Sequence, residues 1–387
     1  MRVDKDLASS VAVVMCSLFG AALLSRVART FRVPPVLPML GCGMMLRQIY
    51  RSSDVIVLTR PFLDIALAAV GVDIGSHLNQ ATIGPHKAEV MKFILLFVPC
   101  VVAVMLLAVR MLFPPQLFPY GFLIGSIAVE RSSPECLFGV EIAKSSGAFT
   151  AVIVCIAAMQ DIAALVCFVI TTVFLGATDV REAVAELGGL FLTTALASIV
   201  AIGVAKAVKE PVMALTAVVF ILSVASEHTR SELLLSAVVT GVVLNYTKKH
   251  PLMGAISESQ GMVSVLLFTL MGYRIDIATY VGGGLFAAGV LFVARIAGLY
   301  CGSVCGGYAS GLTPHIHVRW MGLVTQLAIA LSLVERTEAL FPQAAPLAVA
   351  MGGAVLGGLL CGPPLLQHVL HRVGDAGKAD DDDGTVV

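Results

Sequence analysis

Apolar runs of spanning length follow one another along nearly the whole chain, separated by short clusters of charge, proline or glycine. A membrane-crossing helix needs about 20 apolar residues. Cutting at the interruptions predicts roughly thirteen of them, at about 7–28, 33–46, 61–78, 90–113, 118–143, 148–176, 187–208, 211–225, 231–246, 262–273, 281–308, 318–334 and 344–370. The longest connections, 47–60, 177–186 and 310–317, hold no soluble domain. The pattern therefore predicts an all-α polytopic membrane protein over residues 1–374, with a short acidic disordered tail at 375–387 that includes Asp380 to Asp383.

Composition agrees and narrows the function. The 387 residues are 58% hydrophobic and 13% charged, with a mean hydropathy of +0.94; a soluble domain carries about a quarter charged residues. Net charge is zero and no basic stretch is interleaved with aromatics, so nothing points to nucleic acid. The nine cysteines lie mostly inside apolar runs, where a cysteine behaves as a small buried hydrophobe. The first run passes into Arg26 and Arg29 without a small-residue cleavage site, so it reads as a retained helix rather than a signal peptide. The distribution of Lys and Arg favours an outside N-terminus and an inside C-terminus, although Arg47, Arg51 and Arg60 oppose it.

Three places break the apolar pattern in ways that carry chemistry. Gln160-Asp161 sits near the middle of the 148–176 run; an Asp at the centre of a spanning helix costs about 2.5–3.5 kcal/mol, so it marks a site unless a structural partner is found. In the 118–143 run, Ser132-Ser133-Pro134 predicts an unwound turn, because proline lacks a backbone donor and disfavours helical geometry in the residue before it. In the 318–334 run, Gly322, Thr325 and Gln326 form a polar counterpart without a proline. Interrupted helices at corresponding places in two halves are where transporters bind ions. Arg295 lies too deep in the 281–308 run to snorkel, so it needs a partner.

Taken in order, these landmarks resemble the monovalent cation:proton antiporter superfamily, the sodium/proton and Kef-type potassium/proton exchangers. The marks are Ser132-Ser133-Pro134, Gly147-Ala148-Phe149-Thr150, Gln160-Asp161, Ala294-Arg295-Ile296-Ala297-Gly298, Gly322-Leu323-Val324-Thr325-Gln326 and Gly362-Pro363. Val324 stands where the family has a proline, and Glu130-Arg131 ahead of the first break is unusual for it. The resemblance implies inverted repeats, two crossed discontinuous helices, core helices at about 90–176 and 281–370, and the remaining helices as a scaffold that forms a homodimer in the lipid bilayer. It implies exchange of Na+ or K+ for H+, with no enzymatic activity, cofactor or resident metal.

On that reading Asp161, Gln160, Ser132, Ser133, Thr325 and Gln326 form the ion site. A lone carboxylate can hold either a proton or a cation. Gln160 cannot titrate, which implies one cation per proton and an electroneutral exchange. Arg295 is expected to pair with Glu130 or Glu135, with Glu130 preferred, either to hold the core together or to take part directly. Glu130 either lines the cavity or compensates Arg131. His315 and His317, near Cys301 and Cys305, lack a spacing that would fix a tetrahedral metal site. Two other functions fit the same helices: a membrane sensor or scaffold that does not transport, and a sodium-coupled organic anion carrier.

Overall fold

The computed structural model describes residues 36–50, 53–77, 87–177, 180–208, 210–229, 233–246, 252–275 and 284–377, with four isolated positions before Val36. The retained first helix and the four-aspartate run lie outside the described residues.

Thirteen α-helices and three 3-10 turns are present among the described residues, with no strand. They fall into two units, one of residues 1–79 and 184–277, the other of residues 80–183 and 278–387. The first contains α1 (Val36–Ile49), α2 (Ser53–His77), most of α7 (Val180–Ala207), α8 (Pro211–Thr229), α9 (Leu233–Tyr246) and α10 (Leu252–Arg274). Its core is small and aliphatic, including Ala68, Val72, Ala201, Val218, Leu222, Ala237 and Leu244.

The second unit contains α3 (Lys87–Leu112), α4 (Gly121–Val129), α5 (Ser133–Ile142), α6 (Ala148–Gly176), α11 (Leu285–Ser310), α12 (Ala328–Leu340) and α13 (Ala345–Arg372). Four of its helices (α3, α6, α11, and α13 with the turn before it) are long and apolar enough to cross a membrane. The chain is an integral, multi-pass membrane protein.

Several boundaries differ from the apolar pattern for physical reasons. Helix α2 begins at Ser53 and carries Pro61 within it, so the expected loop at 47–60 is mostly helix. Helix α10 begins at Leu252, ten residues before the apolar stretch, because Glu258 and Gln260 are accommodated inside a helix. The folded chain also runs past 374: Asp375 is buried, and the Gly377 amide donates to the Ala143 carbonyl at 3.1 Å. Residues 375–377, which composition assigns to the tail, thus belong to the folded chain.

Candidate functional site

The 118–143 run is two helices. Helix α4 ends at Val129 and α5 begins at Ser133, with Glu130 extended at φ −57° and ψ 142° between them. Pro134 in the first turn of α5 explains the break, since a proline is tolerated where no intrahelical donor is required. The 318–334 run is broken as well, between a 3-10 turn, Arg319–Leu323, and α12. No proline does this; Leu327, at φ −155° and ψ −116°, leaves helical geometry, and arginines take the carbonyls that the turn leaves over.

The two breaks cross and are bonded to one another. The Ser132 amide donates to the Thr325 carbonyl at 3.1 Å. Gln326 Nε2 donates to the Ile127 carbonyl at 2.6 Å, and Arg131 Nε donates to the Gly322 carbonyl at 3.0 Å. Gly362, next to Pro363 in α13, allows the close approach here, since a Cβ would lie 2.7 Å from the Thr325 Cα.

Arg295 closes the crossing from α11. Its Nε donates to the Ala128 carbonyl at 2.9 Å, Nη1 to Val324 at 2.5 Å, and Nη2 to Glu130 at 2.9 Å and Leu323 at 3.4 Å. The carbonyls at two helix C-termini carry partial negative charge and lack intrahelical donors. One guanidinium, with five donors, answers both. Arg295 thus meets Glu130, its expected partner, by a hydrogen bond to the backbone carbonyl and not by contact with the carboxylate.

Asp161 sits at the opposite kind of end. It is fully buried on the inward face of α6, and its Oδ2 accepts from the Ser133 amide at 3.3 Å and from the Ser133 hydroxyl in a short contact. An acid at the N-terminus of α5 is favoured by the exposed amides there. Gln160, its neighbour, donates from Nε2 to the Val129 carbonyl at 3.2 Å. The structure therefore brings Asp161, Gln160, Ser132, Ser133, Thr325, Gln326, Arg295 and Glu130 to one crossing, all of them buried. Ser132 and Thr325 bond to each other through their backbones.

Several acceptor oxygens at this crossing are left over. Asp161 Oδ1, Gln160 Oε1, Gln326 Oε1 and both oxygens of Glu130 are buried without a hydrogen-bond partner. A buried polar oxygen without a donor is costly, and either a proton donor or a cation satisfies it.

No family model and no curated protein sequence matches the chain. Among solved structures it is similar to the sodium proton antiporter MjNhaP1 from Methanocaldococcus jannaschii at pH 8, with a TM-score of 0.70 over 97% of each chain at 13% identity. The fold is that of a sodium/proton antiporter.

Within this antiporter fold, two buried residues make bonds that the sequence reading did not assign. Arg131 lies within the first break and donates from Nε and Nη1 to the Gly322 and Ser132 carbonyls. Asp375 caps α6, the helix of Asp161. Its Oδ2 accepts from the Thr150 amide and hydroxyl, each at 3.0 Å. Gly147, at φ 153°, makes room for it, because a Cβ there would lie 2.3 Å from Asp375 Oδ1. Nothing local in the sequence marks Asp375 as a cap from 225 residues away.

Proposed function

We propose that this protein is a secondary-active antiporter that exchanges a monovalent cation, sodium or potassium, for protons by alternating access around Asp161. The observation that supports this best is the Asp161 carboxylate itself. It is fully buried, held at one oxygen by Ser133 and unpartnered at the other, inside a crossing of two broken helices. Such a group holds a proton or a cation in turn, and either one removes the charge that would hinder movement through a low-dielectric path.

The unit of residues 80–183 and 278–387 carries the ion. The other unit serves as scaffold and as the contact of a homodimer in the bilayer. The partially positive N-terminus of α5 and the Ser133 hydroxyl hold the carboxylate while it is ionised. Arg295 and Arg131 hold the breaks open by taking their carbonyls, so the site keeps its shape when it is empty. Gln160 does not titrate, so Asp161 acting alone exchanges one cation for one proton, without net charge movement.

Purified protein in vesicles loaded with a pH-sensitive dye tests this reading. Addition of sodium or potassium is expected to drive proton flux in the wild type, and comparison of sodium, potassium and lithium reads the selectivity. Asp161→Asn is expected to abolish the flux while the protein still purifies as a single folded species. Undiminished cation-driven proton flux in Asp161→Asn would sink the mechanism.

A further inference from the structure

Glu130 is the residue that the one-acid account leaves unexplained. Its backbone is fully used, with the amide donating to the Ile127 carbonyl at 3.1 Å and the carbonyl accepting from Arg295 at 2.9 Å. Its side chain is fully buried, and neither carboxylate oxygen closes a hydrogen bond of normal geometry.

The charged groups around it do not neutralise it by contact. Arg295, from α11, directs Nε, Nη1 and Nη2 to backbone carbonyls. Arg131, beside it in the break, spends Nε and Nη1 in the same way, and its Nη2 has no partner. Asp161, from α6, adds like charge, and the Leu327 amide, entering α12, lies close enough to act on it.

The arrangement mirrors that of Asp161. Two half-helices begin at this crossing, α5 and α12. Asp161 is bonded to the amide end of the first, through Ser133; Glu130 lies within electrostatic reach of Leu327, where the second begins, without completing a hydrogen bond there. A buried carboxylate whose oxygens complete no hydrogen bond holds bare charge poorly, and a proton or a dehydrated cation satisfies it. The unpartnered oxygens of Asp161, Gln160 and Gln326 share that need, and the amides of both glutamines are anchored beside Glu130, on Val129 and Ile127.

We infer that Glu130 is the second carboxylate of this ion site: with Asp161 it holds the cation, and both acids carry protons on the return, so one cation exchanges for two protons. The inference rests on the proposed antiport and changes its stoichiometry. Entry of one cation releases one proton from each carboxylate, so each cycle moves one net positive charge in the direction of the protons. The exchange is then electrogenic, although position 160 is a glutamine.

The test is the balance point of transport. In vesicles clamped at zero potential, sodium and proton gradients are opposed until flux of the dye-reported proton stops. For the wild type, flux is expected to stop when the sodium gradient equals the square of the proton gradient; for Glu130→Gln, when the two gradients are equal. A wild type that balances at equal gradients, or a Glu130→Gln that keeps the square relation, overturns the inference. If Glu130→Gln does not transport, protons released on adding sodium to the solubilised protein read the same quantity. Two per sodium are expected from the wild type and one from the variant, with Glu130→Asp restoring two; equal release from wild type and Glu130→Gln overturns the inference. A wild type with no sodium-driven proton flux at all would instead contradict antiport itself.

Discussion

Both units use glycine to bring helices close, and the second adds a charged crossing. In the unit of residues 1–79 and 184–277, backbone meets backbone through glycine. A Cβ on Gly43 of α1 would lie 2.0 Å from the Thr269 carbonyl oxygen of α10, and one on Gly272 would lie 2.2 Å from that of Leu40. Gly75 of α2 and Gly241 of α9 meet in the same way, with a Cβ on Gly75 falling 2.2 Å from the Val238 oxygen. Small residues at such interfaces let helices pack closely where lipid removes the hydrophobic drive between them. In the other unit, the helix ends at the crossing meet through charge, with Arg295 and Arg131 on carbonyls and Asp161 on amides. Close apolar packing needs no further partner. The polar crossing does, since its arginines satisfy the carbonyls and leave buried side-chain oxygens with no donor.

The comparison breaks most severely at Arg295. Arg295→Ala would strip donors from the carbonyls of Ala128, Glu130, Leu323 and Val324. Each unsatisfied buried group costs about 1–3 kcal/mol, so the variant is expected to lose most of its folded yield and to melt well below the wild type in detergent. Arg295→Lys keeps the charge but not the fork geometry, and an intermediate melting temperature is expected. Unchanged melting of Arg295→Ala would mean that the crossing is held by other contacts.

Gly272→Ala tests the apolar unit. The added methyl meets a carbonyl that cannot move aside without shifting a helix, and overpacking of this kind costs about 1–3 kcal/mol. Thermal unfolding is expected to show that loss. Gly41→Ala, with nothing within 4 Å of its Cβ, is expected to be neutral. Equal behaviour of the two variants would deny that close approach matters there.

Ser133→Ala removes the hydroxyl donor to Asp161 and keeps the amide. Loss of a hydrogen bond to a charged group costs about 1.5–3 kcal/mol, and sodium binding at fixed pH is expected to weaken by about tenfold while folding is retained. The smallest effect is expected at Asp375. Asp375→Ala removes the cap of α6, which costs about 1 kcal/mol, and should be visible as faster amide exchange at the start of that helix with transport kept.

Much of the helical framework is legible in the sequence, for identifiable reasons. Helix α6 is predicted at its observed ends because a glycine precedes it and another closes it. Pro134 announces the first break. The second has no proline, and its cause lies in Arg295 and in Leu327, which distance along the chain hides. Pro61 and Glu258 mislead in the opposite direction, because each interrupts an apolar run without ending a helix. At the site, Asp161 stands out as an acid among apolar residues, whereas the role of Glu130 depends on whether its neighbouring arginine is already occupied. That is a property of the crossing, not of the sequence around it.

Competition between a proton and a cation for the Asp161 carboxylate is read most directly from sodium binding measured against pH. Calorimetric titration of the solubilised protein should show apparent sodium affinity falling as pH falls, by about tenfold per pH unit for each competing proton once the site is protonated. Asp161→Asn should bind sodium weakly, with the slope smaller by one competing proton. Sodium affinity that is independent of pH in the wild type, or an undiminished slope in Asp161→Asn, would contradict competition at Asp161.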